Sequence, residues 1–383
     1  MPFYRSEGKI PPKRHTVFNK PKNKGIYYEE LVSREGFSNI YSNIYHTHMP
    51  TQLKEVGELT LCSEKDSNPD HRHRHIETSK INIAGDMLNS RTRLLFNSDV
   101  SVSTAFIIKE SEFFYKNAHH DELLYVQSGS AIFESNFGVI EIEKGDYLVV
   151  PRGVIWKFSN IKSLKTLIIE SKGMIRTPKR YRNQFGQLLE HSPFCERDIK
   201  SPKLGQPIDK IGSFIINVKY HEGLQSYVYK THPFDVVGWD GYYFPYKLSI
   251  SDFEPITGSI HQPPPAHQTF EGDGFVVCSF VARLFDYHPD AIPAPYPHSN
   301  VDSDELIYYS KGNFMSRKGI SQESITYHPM GLAHGPQPGK YEASIGKKKT
   351  DELAVMLDTF KNLKPTKEFL DNEDKDYYKS WIK

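Results

Sequence analysis

The chain is 383 residues long and carries 48 Lys and Arg against 47 Asp and Glu, a formal net charge of +1. That balance leaves no broad field to draw in nucleic acid or anionic lipid. The one basic run, Lys347-Lys348-Lys349, is closed at once by Thr350-Asp351-Glu352, as a solvated surface patch would be. Cys62, Cys195 and Cys278 stand far apart with no Cys-x-x-Cys pair, which argues against a thiolate zinc knuckle and a disulfide framework.

From Met1 to Lys24 the sequence is polar and basic, and no apolar run there or beyond reads as a secretory signal or a membrane span. A cytoplasmic protein is expected. In His71-Arg72-His73-Arg74-His75 the histidines share one strand face, but the interleaved arginines would repel a metal cation. A surface or subunit-contact strand is predicted there. Short runs rich in Val, Ile, Phe and Tyr follow: Phe137 to Ile142, Tyr147 to Val150, Thr166 to Ile169, Phe214 to Val218 and Phe275 to Leu284. Separated by turn residues, they predict an antiparallel sandwich or barrel. Gln262 to Ala266 and Ile292 to Pro297 are rich in proline, which donates no ladder hydrogen bond, so ordered loops are predicted. Thr350 to Leu363 places Leu353, Met356, Leu357, Phe360 and Leu363 at helical spacing and is predicted as a helix. A charged tail to Lys383 is expected to pack on the outside.

A weak internal repeat divides the chain. Glu122 precedes Gly129 by seven residues, and Glu305 precedes Gly312 by seven. Pro151-Arg152-Gly153-Val154-Ile155-Trp156 parallels Pro329-Met330-Gly331-Leu332-Ala333-His334. Two β-barrel units are therefore expected. The first carries Trp156 where the second carries His334, and no His-x-His stands at the proper distance before Glu122, so the first unit reads as structural.

The chemistry lies in the second copy. His298, Glu305 and His334 offer two imidazoles and a carboxylate, the set that an open-sided ferrous site uses. Glu305 is seven residues from His298, an odd separation that an unbroken strand would put on the opposite face. A bend within Asn300 to Asp304 must therefore intervene. Asp302 and Asp304 compete with Glu305 for the carboxylate role.

This segment resembles the cupin signature, with Asn300 in place of its second histidine. More specifically, the chain resembles the homogentisate 1,2-dioxygenase family. Phe234-Asp235-Val236-Val237-Gly238-Trp239 with Pro245-Tyr246-Lys247, Tyr296-Pro297-His298-Ser299-Asn300 through Glu305, and His328 through His334-Gly335-Pro336 carry the similarity. It is clearest over residues 230 to 340. The resemblance implies an all-β-dominated bicupin of two jelly-roll barrels, with a few helices including one near the C-terminus. It would divide into residues 1–225, holding a degenerate metal-free cupin, and residues 226–383, holding the iron site. It implies Fe(II) on His298, Glu305 and His334. Tyr296, His328 and His334 would contact substrate, and His261 would be the acid/base, with His267 as its rival. The implied reaction opens homogentisate with O2 to maleylacetoacetate, in a homo-oligomer. Four departures stand against a full transfer. The spacing from His298 to Glu305 is one residue longer, Phe314 replaces a substrate-binding tyrosine, Asp240 and Tyr242 replace imidazole and polar residues, and the chain is short. Gentisate or another hydroquinone acid is thus the alternative substrate, and a non-catalytic ligand-binding bicupin the alternative role.

Overall fold

The β-branched and aromatic runs become strands, gathered into a 13-stranded, a six-stranded and a four-stranded sheet. The computed structural model describes residues 3–33, 40–61, 69–81, 83–311 and 314–382, so Met1, Cys62, Gly312 and Lys383 lie outside the described residues. Pairing is antiparallel except where Ile211–Tyr220 runs beside Phe114–Asn117 and Ala84–Gly85 beside Val100–Ile107. Among the described residues the one α-helix is Lys367–Asp371, near the C-terminus and capped by Thr366. None is long and apolar enough to cross a membrane. The fold is β-dominated.

The helix predicted over Thr350 to Leu363 is instead a strand, Leu353–Thr359, paired with Phe275–Phe280 on one side and Asp304–Lys311 on the other. Ala354, Val355, Met356 and Leu357 are all buried. A central strand hides both faces, so its apolar run loses the period of two and imitates a helical one. The stretch from His71 to His75 is also corrected. Arg74–Glu77 is a strand on the edge of the six-stranded sheet, beside Ser324–His328, and His73, Arg74 and His75 are buried rather than on the surface. Its partner is the tail: Arg74 NH1 lies 2.5 Å from Glu373 Oε2.

The internal repeat recurs as paired backbone contacts. Gly153 N donates to Asn117 O at 2.7 Å, and Gly331 N to Asn300 O at 2.7 Å. Asp121 Oδ1 accepts from Arg152 N at 3.1 Å, and Asp304 Oδ1 from Met330 N at 2.8 Å. Both turn glycines sit at positive φ, 85° and 80°, where a side chain would be strained. Tyr115 pairs with Trp156 as His298 pairs with His334. Glu122 lies beside Glu170 as Glu305 lies beside Asp358. The aligned motif is therefore Tyr115-x-Asn117 before Glu122 against His298-x-Asn300 before Glu305.

Strands cross the expected boundary at residue 225. Val236–Gly241 pairs with Tyr41–His46 and Tyr246–Ser249 with Asp146–Val150, while Arg74–Glu77 joins the later sheet. We propose two folding units that each lend strands to the other. Buried hydroxyls join their sheets, Tyr125 Oη to Ser310 Oγ at 2.7 Å and Tyr147 Oη to Ser279 Oγ at 2.8 Å.

One buried clamp is expected to make the fold pH-sensitive. Burial alone would lower the His46 imidazole, but Asp235 Oδ1 at 2.7 Å and Glu30 Oε2 at 2.8 Å raise it to about 9. This stabilisation is complete below the ordinary value of 6.5 and is lost as pH rises through about 9. The expected result is a urea midpoint that falls more steeply between about pH 7 and about pH 10 in the parent than in His46→Gln. Parallel pH profiles would refute it.

Candidate metal centre and its cavity

Strand Asp304–Lys311 presents Glu305, and a bend at Val301 and Asp302 turns the chain between it and His298, as the odd spacing required. The turn at Pro329-Met330-Gly331 then brings residue 334 beside residue 298. His298 N donates to His334 O and His334 N to His298 O, both at 2.8 Å. One ligand atom from each of His298, Glu305 and His334 lies within 4.8 Å of the other two. His298 Nε2 is 3.8 Å from Glu305 Oε2, and His334 Nε2 is 3.4 Å from Glu305 Oε1.

The ring nitrogens are ordered for this. His298 Nδ1 lies 3.1 Å from Tyr296 O, and His334 Nδ1 lies 3.1 Å from Leu332 O. A carbonyl only accepts, so each Nδ1 carries hydrogen and each Nε2 turns a lone pair toward the carboxylate. His334 Nε2 is buried without a hydrogen bond. Imidazole lone pairs facing a buried carboxylate need a cation or a proton between them, so these residues fit a divalent ion. Glu305 raises the His298 imidazole against its burial. Burial would raise Glu305 itself, but His298, His328 and His334 hold it well below the usual carboxylate range.

The first copy shows what fills this place when the ligands are gone. Arg91 NH1 stands 2.8 Å from Glu122 and 2.9 Å from Glu170, and Tyr115 Oη donates to Glu122 at 2.9 Å. Trp156 is buried against Tyr115. A guanidinium neutralises the two acids there. In the second copy Asp358, the counterpart of Glu170, has a buried Oδ1 with no partner. Burial and the Glu305 charge push its carboxyl up to about 8.

Asp304 is not a competing ligand. Its carboxylate accepts from Met330 N, Leu363 N at 2.6 Å and Tyr327 Oη at 2.8 Å, closing the loops around the site. Asp302 is exposed. His328, expected to touch substrate, instead lies fully buried behind Glu305, donating from Nδ1 to Oε1 at 2.8 Å. Burial lowers its imidazole to about 3 despite that bond, so it stays neutral. Its geometry is that of a support for the carboxylate. His328→Ala is expected to weaken metal binding by ~10–100-fold, read from a metal titration. An unchanged titration would contradict this.

A cavity of about 440 Å³ opens beside the triad. His261, His267, Tyr296, His298, Glu305 and Phe314 all line it, whereas His334 is covered. Tyr296 is half-exposed at the mouth, 5.3 Å from the His261 ring. His261 is exposed and stands 3.5 Å from Asp286, while burial lowers the His267 imidazole to about 3. Phe314 packs edge-on against Tyr309. Asp240 lies elsewhere, 3.4 Å from the Tyr4 hydroxyl. Sequence reasoning missed Asp358, Arg283 and Arg317, which also line the cavity. For Asp358 the signal existed, as the register counterpart of Glu170.

The family model for the homogentisate 1,2-dioxygenase N-terminal region matches residues 88–250. A protein of Saccharolobus solfataricus named putative dioxygenase is 44% identical over 387 residues, covering 100% of this chain and 99% of its own. The homogentisate 1,2-dioxygenase of Nitrobacter hamburgensis is 28% identical over 264 residues, 64% of this chain and 57% of its own. Among solved structures, a cupin 2 conserved barrel domain protein from Leptotrichia buccalis overlays 81% of this chain and 100% of its own, with a TM-score of 0.33 and 11% identity. On the full-length relative, the chain belongs to the family of that putative dioxygenase, and residues 88–250 are similar to the N-terminal region of homogentisate 1,2-dioxygenase.

Proposed function

We propose that the chain is an Fe(II)-dependent dioxygenase that opens a dihydroxylated aromatic acid, homogentisate first, giving maleylacetoacetate. The observation that carries this is the pair of Nε2 atoms turned toward one buried carboxylate, with both Nδ1 atoms fixed on backbone carbonyls. His298, Glu305 and His334 would hold the ion, two imidazoles and a carboxylate being the donor set of open-sided ferrous sites. Bound there, Fe(II) would supply the redox chemistry between O2 and an electron-rich ring.

The rest falls to the chain's own residues. Phe280, Tyr309 and Phe314 wall the cavity with apolar rings. Arg283 and Arg317 line it too and offer guanidinium donors to a carboxylate, the group that an aromatic acid carries. Arg317 Nε is buried with no partner. His261, exposed and backed by Asp286, can take a ring-hydroxyl proton and release it to water. His267 is held neutral by burial, and its Nδ1 is buried without a partner. The same reading expects a cytoplasmic homo-oligomer acting on a small aromatic substrate and O2, without nucleic-acid or membrane partners.

Gentisate is the second reading, favoured by Phe314, which offers the ring edge but no hydroxyl. The test is O2 uptake by protein purified without oxygen and loaded with Fe(II), given homogentisate or gentisate in turn. One O2 consumed per ring opened is expected with one of the two acids. Stoichiometric iron with no uptake on any dihydroxylated aromatic acid would end the dioxygenase reading.

A further inference from the structure

A second cavity, about 890 Å³, lies in the first barrel and plays no part in the proposed reaction. Strands and loops from six separate stretches converge on it and bring six cationic side chains together: Arg93, Arg152, Lys172, Lys219, Lys361 and Lys364. Only three carboxylates, Asp99, Glu170 and Glu222, line the same space. Arg152 also meets the buried Asp121 at 3.2 Å, so six cations face four acids and the local balance is positive on a chain whose net charge is +1. Such concentration in one concavity focuses the field and raises the local concentration of anions.

The floor is built rather than incidental. Glu170 is buried and is held in place by Arg91 at 2.9 Å and by Lys219 Nζ at 2.6 Å, so Lys219 is fixed at the floor by an ion pair. Beside it, His120 is held by its backbone N, which donates to Asn117 Oδ1 at 2.9 Å. The His120 Nδ1 atom is buried with no partner. His119 packs against His221 on the rim, with ring centroids 4.3 Å apart and the rings tilted by 49°. At the mouth Lys361 reaches Asp99 at 2.7 Å and Arg93 reaches Glu222 at 2.9 Å, exposed pairs that contribute little and can exchange partners. Lys172 has no ion pair among the described residues.

We propose that this cavity is a binding site for a small multivalent anion, a phosphate or a polycarboxylate, separate from the candidate metal centre. The cations come from segments far apart in sequence, so an anion bridging them would tie the loop around Lys361 to the floor at Lys219 and His120. Binding would therefore stabilise the first barrel, by an amount that grows with the logarithm of ligand concentration above the dissociation constant.

The test is calorimetric titration of the full-length protein with inorganic phosphate and, separately, with citrate, against sodium chloride at matched ionic strength. Saturable binding is expected, the tighter of the two ligands identifying the chemistry. Lys172→Glu with Lys361→Glu should weaken it by at least ~10-fold, because charges reversed beside the anion act directly on it. His334→Ala, which disrupts only the metal set, should leave it intact. If the charge-reversed variant fails to fold by circular dichroism, Lys172→Gln with Lys361→Gln replaces it, with a smaller loss expected. Heats no different from chloride, equal affinity in the charge-altered variant, or loss of binding in His334→Ala would overturn the site.

Discussion

His334→Ala is expected to cut metal affinity by more than ~100-fold, beyond the 10–100-fold typical of losing a residue that only supports a ligand. The imidazole is buried, its Nε2 has no hydrogen-bond partner, and its Nδ1 is pinned to Leu332 O. Alanine removes one of three proposed donors and leaves Glu305 facing His298 alone across the gap. His73→Ala is the control. Its ring lies near His334, but its Nε2 contacts only Ala333 O at 3.1 Å, and burial lowers the imidazole to about 4. That variant should keep the metal. Iron content after Fe(II) loading and desalting checks both, and equal content in the two would show that the donor set is misassigned.

Arg91→Met is expected to destabilise the protein by about 3–5 kcal/mol, the usual result of removing one partner from a buried charge cluster. Arg91 NH1 lies between Glu122 and Glu170, whose side chains are only 1% and 3% exposed. Without the guanidinium, Glu170 retains Lys219, but Glu122 keeps only neutral donors, Tyr115 Oη and Asn117 Nδ2. The double change Arg91→Met with Glu122→Gln should recover part of the loss, because it removes the uncompensated charge together with its partner. Urea unfolding measures both. A single variant within about 0.5 kcal/mol of the parent would mean that the cluster is not structural.

Much of the site was legible because its signals are local. Pro-x-Gly turns, an acid seven residues before a glycine and an imidazole after the turn can be read along the chain, and their repetition gives the two copies. The bend between His298 and Glu305 follows from parity alone. What the sequence hid depends on distant pairing. Leu353–Thr359 looks helical because a strand buried on both faces loses its alternation, and misreading it concealed Asp358. His73 and Arg74 look like surface residues until Glu373, about three hundred positions later, supplies the countercharge. His328 matches a substrate residue in the resemblance, yet its place in Ser324–His328, directly across from Glu305, turns it behind the carboxylate. Arg91 carries no local signal at all. Its role follows only from the strands that bring Glu122 and Glu170 to it.

The central claim is that one copy of the repeat holds a metal and the other holds a guanidinium. Anomalous diffraction at the iron edge, from crystals of the Fe(II)-loaded protein grown without oxygen, tests it most directly. The expected map has one peak, between His298, Glu305 and His334, and none beside Glu122. A peak on other residues, or none in crystals that contain stoichiometric iron, would contradict it.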